Sequence, residues 1–337
     1  MITAITNVQT YNTPDEMVEF NLSKNLSVYD IITLHKKTEA IFKFGERSSS
    51  SSKLGMAAHG AILSDENFEQ KFLRDFDKDD HHETLTSDGA VKTWVKQQGR
   101  TGYSKMSGRE LWEFAAETGN HPPILGLEKL VKEAEAEAGN MVLVSGKEYD
   151  EVILMRDTLK GIDFFNEIVE NSTLGYGITC DVKIEGYTDP ISVKVKCDMI
   201  TKNYYEGKPA ESNSDQCHPG TPSGYAVPDY KTGSDVSAKE FGIQCVRAHE
   251  YLKQSFITDV MSMVHDEDFK PGILVQMNKA PYIPVLYWLN NAQVNDGREQ
   301  YMAALSKYAE SCIDDVWPAQ GEYEQELETP KWYSKAD

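Results

Sequence analysis

Strand-like and helix-like periodicities alternate along this chain, which predicts an α/β fold. The clearest strand signal is Val193-Lys194-Val195-Lys196-Cys197-Asp198, where apolar and polar residues alternate as in a half-buried strand. The clearest helical signal runs from Glu148 to Val169. Its Val152, Met155, Leu159, Ile162, Phe165 and Ile168 recur at spacings of three and four, enough to cover one face of a sheet. A third signal is a late strand pair, Gly272 to Met277 and Val285 to Leu289.

The 337 residues suit one large domain or two ordinary ones. An apolar fraction of 40% and a charged fraction of 26% are those of a soluble globular protein, and no apolar run is long enough to span a bilayer. The opening Met1-Ile2-Thr3-Ala4-Ile5-Thr6-Asn7 lacks a charged region and a long apolar core, so no signal peptide is expected. Five dispersed cysteines, Cys180, Cys197, Cys217, Cys245 and Cys312, suit reduced thiols in a cytoplasm and argue against a zinc ribbon or iron–sulfur cluster. The formal net charge of −20 counts against a simple nucleic-acid binder, because phosphate neutralisation dominates such affinity. Any DNA contact must rest on positive charge concentrated locally.

In chain order, residues 1 to about 45 read as an irregular lead-in followed by a helix. Asn25 or Ser27 caps a segment carrying Val28, Ile31, Ile32, Leu34 and Ile41. This N-terminal part, 1–52, is expected to pack on a core formed by 53–337. Ser48 to Ser52 reads as a flexible loop. Leu54 to Leu63 sets small residues around His59, as in a helix packed tightly on a neighbour; a histidine there is either a satisfied core residue or a ligand. Phe68, Phe72 and Phe76 continue the helical pattern.

Residues 77–140 form a polar insertion in which Lys92, Lys96, Arg100, Lys105 and Arg109 surround Trp94 and Tyr103. That cluster is either a solvated helical face or a phosphate-tracking arm with a ring for stacking. Glu128 to Ala138 reads as an exposed helix. Ile178 to Ile184 alternates as a strand, and Gly186 to Asp189 turns it into the Val193 strand. A loop at about 202–228 follows; its Cys217-His218 pair supplies too few ligands for a closed zinc site. A helix from about Ser237 to Val264 contains His249, Tyr251, Gln254 and Phe256. A last helix near Asp296 to Ile313 leads to Trp317-Pro318-Ala319 and an acidic tail.

The chemistry-bearing pattern lies at two strand ends. Ala226 to Thr232 places Asp229 two residues before Lys231, and strand residues two apart share a face, so carboxylate and ammonium emerge side by side. If the Val193 strand is a neighbour, Asp198 joins them. Two carboxylates and a lysine on one sheet edge can hold a hard divalent cation and steer a water; Mg²⁺ takes oxygen ligands and keeps several waters. The plain alternative is a surface salt bridge at a strand end.

This arrangement resembles the PD-(D/E)xK nuclease superfamily, with Asp198, Asp229 and Lys231 in the motif positions. Ordered matches from Lys53 to Trp332 are similar to the exonuclease VIII (RecE)-type nuclease domain, in the group that includes lambda-type exonuclease. Leu54-Gly55-x-Ala57-x-His59, followed by an acid and the Phe68 to Phe72 block, is similar to that family's histidine motif. Lys196-Cys197-Asp198-Met199-Ile200 resembles its first metal-acid strand, and Asp229-Tyr230-Lys231-Thr232 its Asp-x-Lys-Thr strand. Tyr251-Leu252-Lys253-Gln254 looks like its glutamine helix, and Trp317-Pro318-Ala319 with Pro330-x-Trp332 like its C-terminal signature.

The resemblance implies a restriction-endonuclease-like core, a central mixed β-sheet flanked by helices with a helical or irregular insertion. It implies Mg²⁺, with Mn²⁺ substituting, on Asp198, Asp229, the Tyr230 carbonyl and His59. Lys231 would orient or deprotonate a water, or stabilise developing charge. Gln254 would position Lys231 or a DNA phosphate, and Lys92, Lys96 and Arg100 would contact DNA. The implied activity is processive 5′→3′ degradation of one strand of linear duplex DNA. The implied setting is a ring-shaped homo-oligomer, trimer or tetramer, beside a single-strand annealing protein in phage or prophage recombination. The chain departs from the family in a longer loop between Asp198 and Asp229 and in Thr258 where a tyrosine is common. The upstream glutamate has no clean counterpart, and Asp181 and Glu185 are the two candidates. The same metal site would serve a structure-specific endonuclease or repair nuclease, and a catalytically silent assembly subunit would keep the scaffold.

Overall fold

Elements begin where the sequence supplies caps and break where it supplies turns. In the computed structural model, residues 1–45, 52–63, 68–202 and 224–319 are described. The chain opens with β1 (Ile2–Tyr11), α1 (Pro14–Leu22), β2 (Leu26–Ser27), α2 (Val28–Lys36) and α3 (Glu39–Phe44). Capping boxes start α1 at Thr13 with Glu16 and α2 at Ser27 with Asp30, each satisfying backbone N–H groups that the helix itself leaves open. Next come α4 (Lys53–Leu63), the single turn α5 (Phe68–Lys71) and β3 (Phe72–Arg74). The 77–140 stretch holds α6 (Asp88–Gln97), α7 (Gly108–Ala116) and α8 (Leu125–Gly139), and β4 (Val142–Val144) follows. Then α9 (Gly146–Lys160), α10 (Asp163–Glu170), β5 (Ser172–Ile184), β6 (Ile191–Lys202) and β7 (Tyr225–Gly233) lead to α11 (Ala238–Ala248) and α12 (Glu250–His265). The described chain closes with β8 (Phe269–Met277), β9 (Pro284–Trp288) and α13 (Asn291–Asp314).

Four expectations are corrected. The lead-in is not irregular: β1 pairs antiparallel with β5 from Ile2↔Ile184 to Tyr11↔Gly177. Its Ile, Thr and Val content favours a strand, but a register shift between Thr6 and Gln9, around Asn7 in the left-handed region, breaks the period. Phe72 begins a strand, because β3 pairs with β4 through Phe72↔Val142, so the phenylalanine pattern is helical for one turn only. The Glu148 to Val169 helix is two helices, interrupted at Gly161 and at Ile162, whose backbone is extended. The Ser237 to Val264 helix is also two, because His249 adopts φ 57° between α11 and α12.

Seven strands form one mixed sheet flanked by helices, in the order β1-β5-β6-β7-β8-β9 with β2 on β6, so the α/β class holds. β5 and β6 are a hairpin turned at Gly186, whose φ of 89° suits glycine. β7 and β8 run parallel from Tyr225↔Phe269 to Gly233↔Met277, with α11 and α12 as the crossover. β6 and β7 pair at Thr201↔Ala226 and Lys202↔Tyr225. The start of β6 pairs instead with β2, through Leu26↔Val193 and Ser27↔Lys194. A fork therefore opens between β6 and β7.

One core packs Ile31 and Leu34 of α2, Leu252 and Phe256 of α12 and Leu305 of α13 onto Ile178, Val193 and Val195. A second packs Ala57, Ala58 and Ala61 of α4 and Val152 and Met155 of α9 onto Met199, Tyr230 and Leu274. The insertion has its own cluster of Val91, Val95, Leu111, Ala115 and Ile124. Burying Leu252, Phe256, Ile257, Val260 and Met261 stabilises α12 by about 1.5–3 kcal/mol per side chain. That is enough to offset the polar residues Glu250, Lys253 and Gln254 that its first turn also buries. Among the described residues no helix is long and apolar enough to cross a membrane.

Candidate active site

The fork between β6 and β7 opens into a cleft of about 570 Å³. Alternation in β6 sends Val193, Val195 and Cys197 into the core, which leaves Lys194, Lys196 and Asp198 lining the cleft. In β7, Asp229 and Lys231 point together towards the first turn of α12, where Lys253 and Glu250 meet them. Tyr230 lies between them and packs with the α4 side, its hydroxyl donating to Gln276 Oε1 at 3.0 Å. His59 comes from α4, and Phe20, Ser27 and Tyr29 supply a wall from the N-terminal segment.

Asp229 is 4% exposed, and three contacts surround it. Lys253 Nζ donates to Oδ1 at 2.8 Å and to Oδ2 at 2.9 Å, and Lys231 Nζ stands 2.9 Å from Oδ2. Lys231 also reaches Glu250 Oε1 at 3.3 Å. Glu250 Oε2 is buried and has no hydrogen-bond partner among the described residues. Asp198 places Oδ1 2.9 Å from His59 Nε2, while its Oδ2 accepts the Tyr230 N–H at 3.1 Å. The backbone of β7 thus ties the two aspartates together.

Burial alone would push the Asp229 carboxyl up, but the Lys231 and Lys253 ammoniums outweigh it and hold the group well below the usual carboxylate range. Burial opposes charge on Lys231 too, yet Asp229 and Glu250 prevail and keep its ammonium above the ordinary lysine range. Lys253 behaves alike, with burial opposed chiefly by Asp229. Burial raises the Glu250 carboxyl. The Asp229 and Glu250 contacts thus favour the ammonium form of Lys231 in this arrangement, and an ammonium can donate hydrogen bonds.

The side chains that could hold a divalent cation are Asp198, Asp229 and His59. Mg²⁺ is commonly held by one or two carboxylates, with waters and substrate phosphates completing its shell. Asp198 and Asp229, which line the same cleft, are two such carboxylates. Among the described residues no group of three or more His, Cys, Asp or Glu that could hold a metal ion is gathered, so protein side chains alone do not complete a metal shell here.

Other sequence candidates lie elsewhere. Gln254, 1% exposed, does not line the cleft; in the amide orientation that satisfies both its oxygen and its nitrogen, the nitrogen donates to the Val227 and Gly272 carbonyls at 3.3 Å each. Asp181 accepts from Asn7 Nδ2 and Ser192 Oγ, both at 2.6 Å, and Glu185 pairs with the Met1 ammonium at 3.3 Å. The hairpin register sets Asp181 opposite Ser192. At the rise of a strand that is about 20 Å from Asp198, and Glu185 lies nearer the turn. Neither acid joins the site.

In the insertion, Arg100 donates to the Phe114 carbonyl at 2.6 Å and to Glu117 at 2.9 Å, with its guanidinium 3.8 Å from the centre of the Phe114 ring. Lys92 donates to the Ser104 carbonyl at 3.2 Å, Lys96 is exposed, and Trp94 and Tyr103 pack on the small cluster. None of these residues lines the cleft. Trp317 stacks on Phe42. Cys217, His218, Pro330 and Trp332 lie outside the described residues, as do Ser48 to Ser51.

Sequence reasoning misses Lys253, Glu250, Lys194, Lys196 and the N-terminal wall. The two β6 lysines are encoded in the same alternation that marks Asp198, so counting faces would have found them. Lys253 and Glu250 sit three apart on one helical face, but only contact with β7 distinguishes them from solvated charges.

No family model matches the chain, and no curated protein matches it. Among solved structures, a "putative exonuclease" from Eubacterium rectale is similar, at 8% identity and a TM-score of 0.46, over 94% of this chain and 95% of that one.

Proposed function

We propose that this protein is a metal-dependent nuclease that hydrolyses phosphodiester bonds in DNA. The observation that carries the reading is the Asp198, Asp229 and Lys231 set gathered in the β6–β7 fork, in a cleft lined by Lys194, Lys196, Lys231 and Lys253. In a chain of net charge −20 this cleft lining sets four lysines against Asp198 and Asp229, a local excess of the sign that attraction of a polyanion requires.

Asp198 and Asp229, with His59 and the Tyr230 carbonyl beside them, are the residues that would hold Mg²⁺, or Mn²⁺ in its place, which supplies charge neutralisation at the phosphate and a water of lowered pKa. Lys231, fixed by Asp229 and Glu250, would donate to the phosphoryl oxygen as negative charge develops. His59 orients Asp198. Lys196, exposed on the cleft wall, would hold a flanking phosphate. The finer reading extends the order of motifs along the chain. It is an exonuclease that works 5′→3′ on linear duplex DNA and leaves 3′ tails for recombination by strand annealing. A ring-shaped homo-oligomer, a single-strand annealing partner and a cytoplasmic setting belong to that same reading.

The test is digestion of end-labelled linear duplex and closed circular duplex, with and without Mg²⁺. Release of label from linear DNA only, and only with metal, is the expected outcome. Cutting of the circle would favour the endonuclease alternative. The bidentate hold of Lys253 on Asp229 specifically favours one further reading, a silent scaffold, and inactivity on both substrates with Mg²⁺ and Mn²⁺ would leave that one.

A further inference from the structure

The two carboxylates of the site differ in how much coordinating capacity they have left. An ionised carboxylate offers about four lone-pair directions. On Asp229, Lys253 takes one on each oxygen and Lys231 takes another on Oδ2, so the open direction is on Oδ1. On Asp198, His59 takes one at Oδ1 and the Tyr230 N–H takes one at Oδ2, leaving a direction on each oxygen. The site is therefore lopsided: open at Asp198, nearly closed at Asp229.

What closes it is itself a cation. The Lys253 side chain is 8% exposed, and Asp229 is its ion-pair partner among the described residues. Its helix is anchored on either side by the fully buried Leu252 and Phe256, so the charge cannot swing out without moving α12. The neighbouring Gln254 is committed to the backbone of β7 and β8, which pins the rotation of that turn. Tyr29 covers the ammonium from the N-terminal wall, its ring centre 5.6 Å away.

We propose that Lys253 fills the second-cation position of this site with a tethered charge, so that the cleft takes one divalent ion, on Asp198 and the open side of Asp229. The proposal rests on the metal-dependent reading above. It makes Lys253 a positioning residue that sets metal stoichiometry. It also predicts that removing the ammonium restores two lone-pair directions to Asp229, which keeps its Lys231 contact.

The experiment is titration of Mn²⁺ into metal-stripped protein, with bound ions counted by calorimetry and free Mn²⁺ by its paramagnetic resonance signal. Wild type should bind one ion per chain, Lys253→Arg one, and Lys253→Gln two. Two ions in the wild type, or one in Lys253→Gln, overturns the proposal. Because the Gln variant loses a buried pair, its melting is followed as well. Saturating Mn²⁺ should raise its Tm further than it raises that of the wild type, by mass action on the extra site. An equal or smaller gain also overturns the proposal. The two readings fail differently. No Mn²⁺ on the wild type removes the metal-dependent reading and this proposal with it, whereas one ion on both wild type and Lys253→Gln removes only the role of Lys253.

Discussion

Deleting the Asp229 carboxylate should unfold the protein more readily as well as stop cleavage. Asp229→Ala strands two ammoniums. Lys231 is 27% exposed and keeps Glu250 at 3.3 Å. The Lys253 side chain is 8% exposed and keeps no ion pair among the described residues. Removing one partner of a buried pair costs about 3–5 kcal/mol, against about 0–1 kcal/mol for a surface pair. Since Lys231 retains a partner and some water, the cost falls mainly on Lys253, and about 3 kcal/mol is expected. With a urea m-value of about 3 kcal/mol/M, the unfolding midpoint drops by about 1 M. Lys253→Met alone costs less, because Asp229 keeps Lys231. The double variant Asp229→Ala/Lys253→Met should therefore be more stable than Asp229→Ala, with a coupling of about 1–3 kcal/mol in the cycle. Urea titrations of the four proteins decide it. An Asp229→Ala unfolding free energy within about 1 kcal/mol of wild type, or a double variant no better than the single, refutes the reasoning. The practical consequence is that Lys231→Ala is the better inactive control.

Gly297→Ala should lower Tm markedly, because its Cβ would meet the Tyr251 carbonyl oxygen and Ser255 Oγ where α13 crosses α12; overpacking there costs about 1–3 kcal/mol, and an unchanged melt refutes the contact. Lys196→Ala should weaken duplex binding and flatten its salt slope by about 0.9, whereas Arg100→Ala should cost stability with the slope unchanged; the reverse pattern would move the DNA path to the insertion. His59→Ala should cut cleavage without shifting Tm, since the side chain is 36% exposed and its contact is with Asp198; early melting with full specific activity would make it a core residue. Burial pushes the Cys180 thiol up to about 12 and the Cys245 thiol up to about 11 from 9.0, so each contributes stability fully below pH 9 that is lost as pH rises from there towards those values. Tm should fall across that window, and at pH 8 an alkylating agent mapped by peptide mass should label exposed Cys312 and spare both.

The strands that carry Asp198, Asp229 and Lys231 are legible because period two assigns a face without tertiary information. The same rule fails for β1, where the irregularity at Asn7 moves residues between faces and hides a ten-residue strand. Helical charges are harder still. One residue along a helix is a rotation of about 100°, enough to send Gln254 to the strand backbone and Lys253 to Asp229. A motif that locates the helix cannot resolve that difference; the packing of α12 does. Arg100 is similar, since its stacking partner Phe114 belongs to another helix and no local pattern couples them.

The strand β1 also has a consequence for how the protein is made. Its pairing partner extends to Ile184, so Ile2 must wait for some 180 residues to be synthesised, about 10–35 s at ribosomal rates. Closing so large a loop then costs about 4.6 kcal/mol beyond the constant for short loops. During that interval a β-branched segment is tethered to the ribosome with both edges bare, and even in the finished sheet it remains at one end. Thr3, Thr6, Asn7, Gln9 and Thr10 keep its apolar residues from forming a run, and the kink at Asn7 makes it a poor template for a straight partner. The feature that obscures the strand to a reader of the sequence also discourages the nascent chain from pairing with the wrong neighbour.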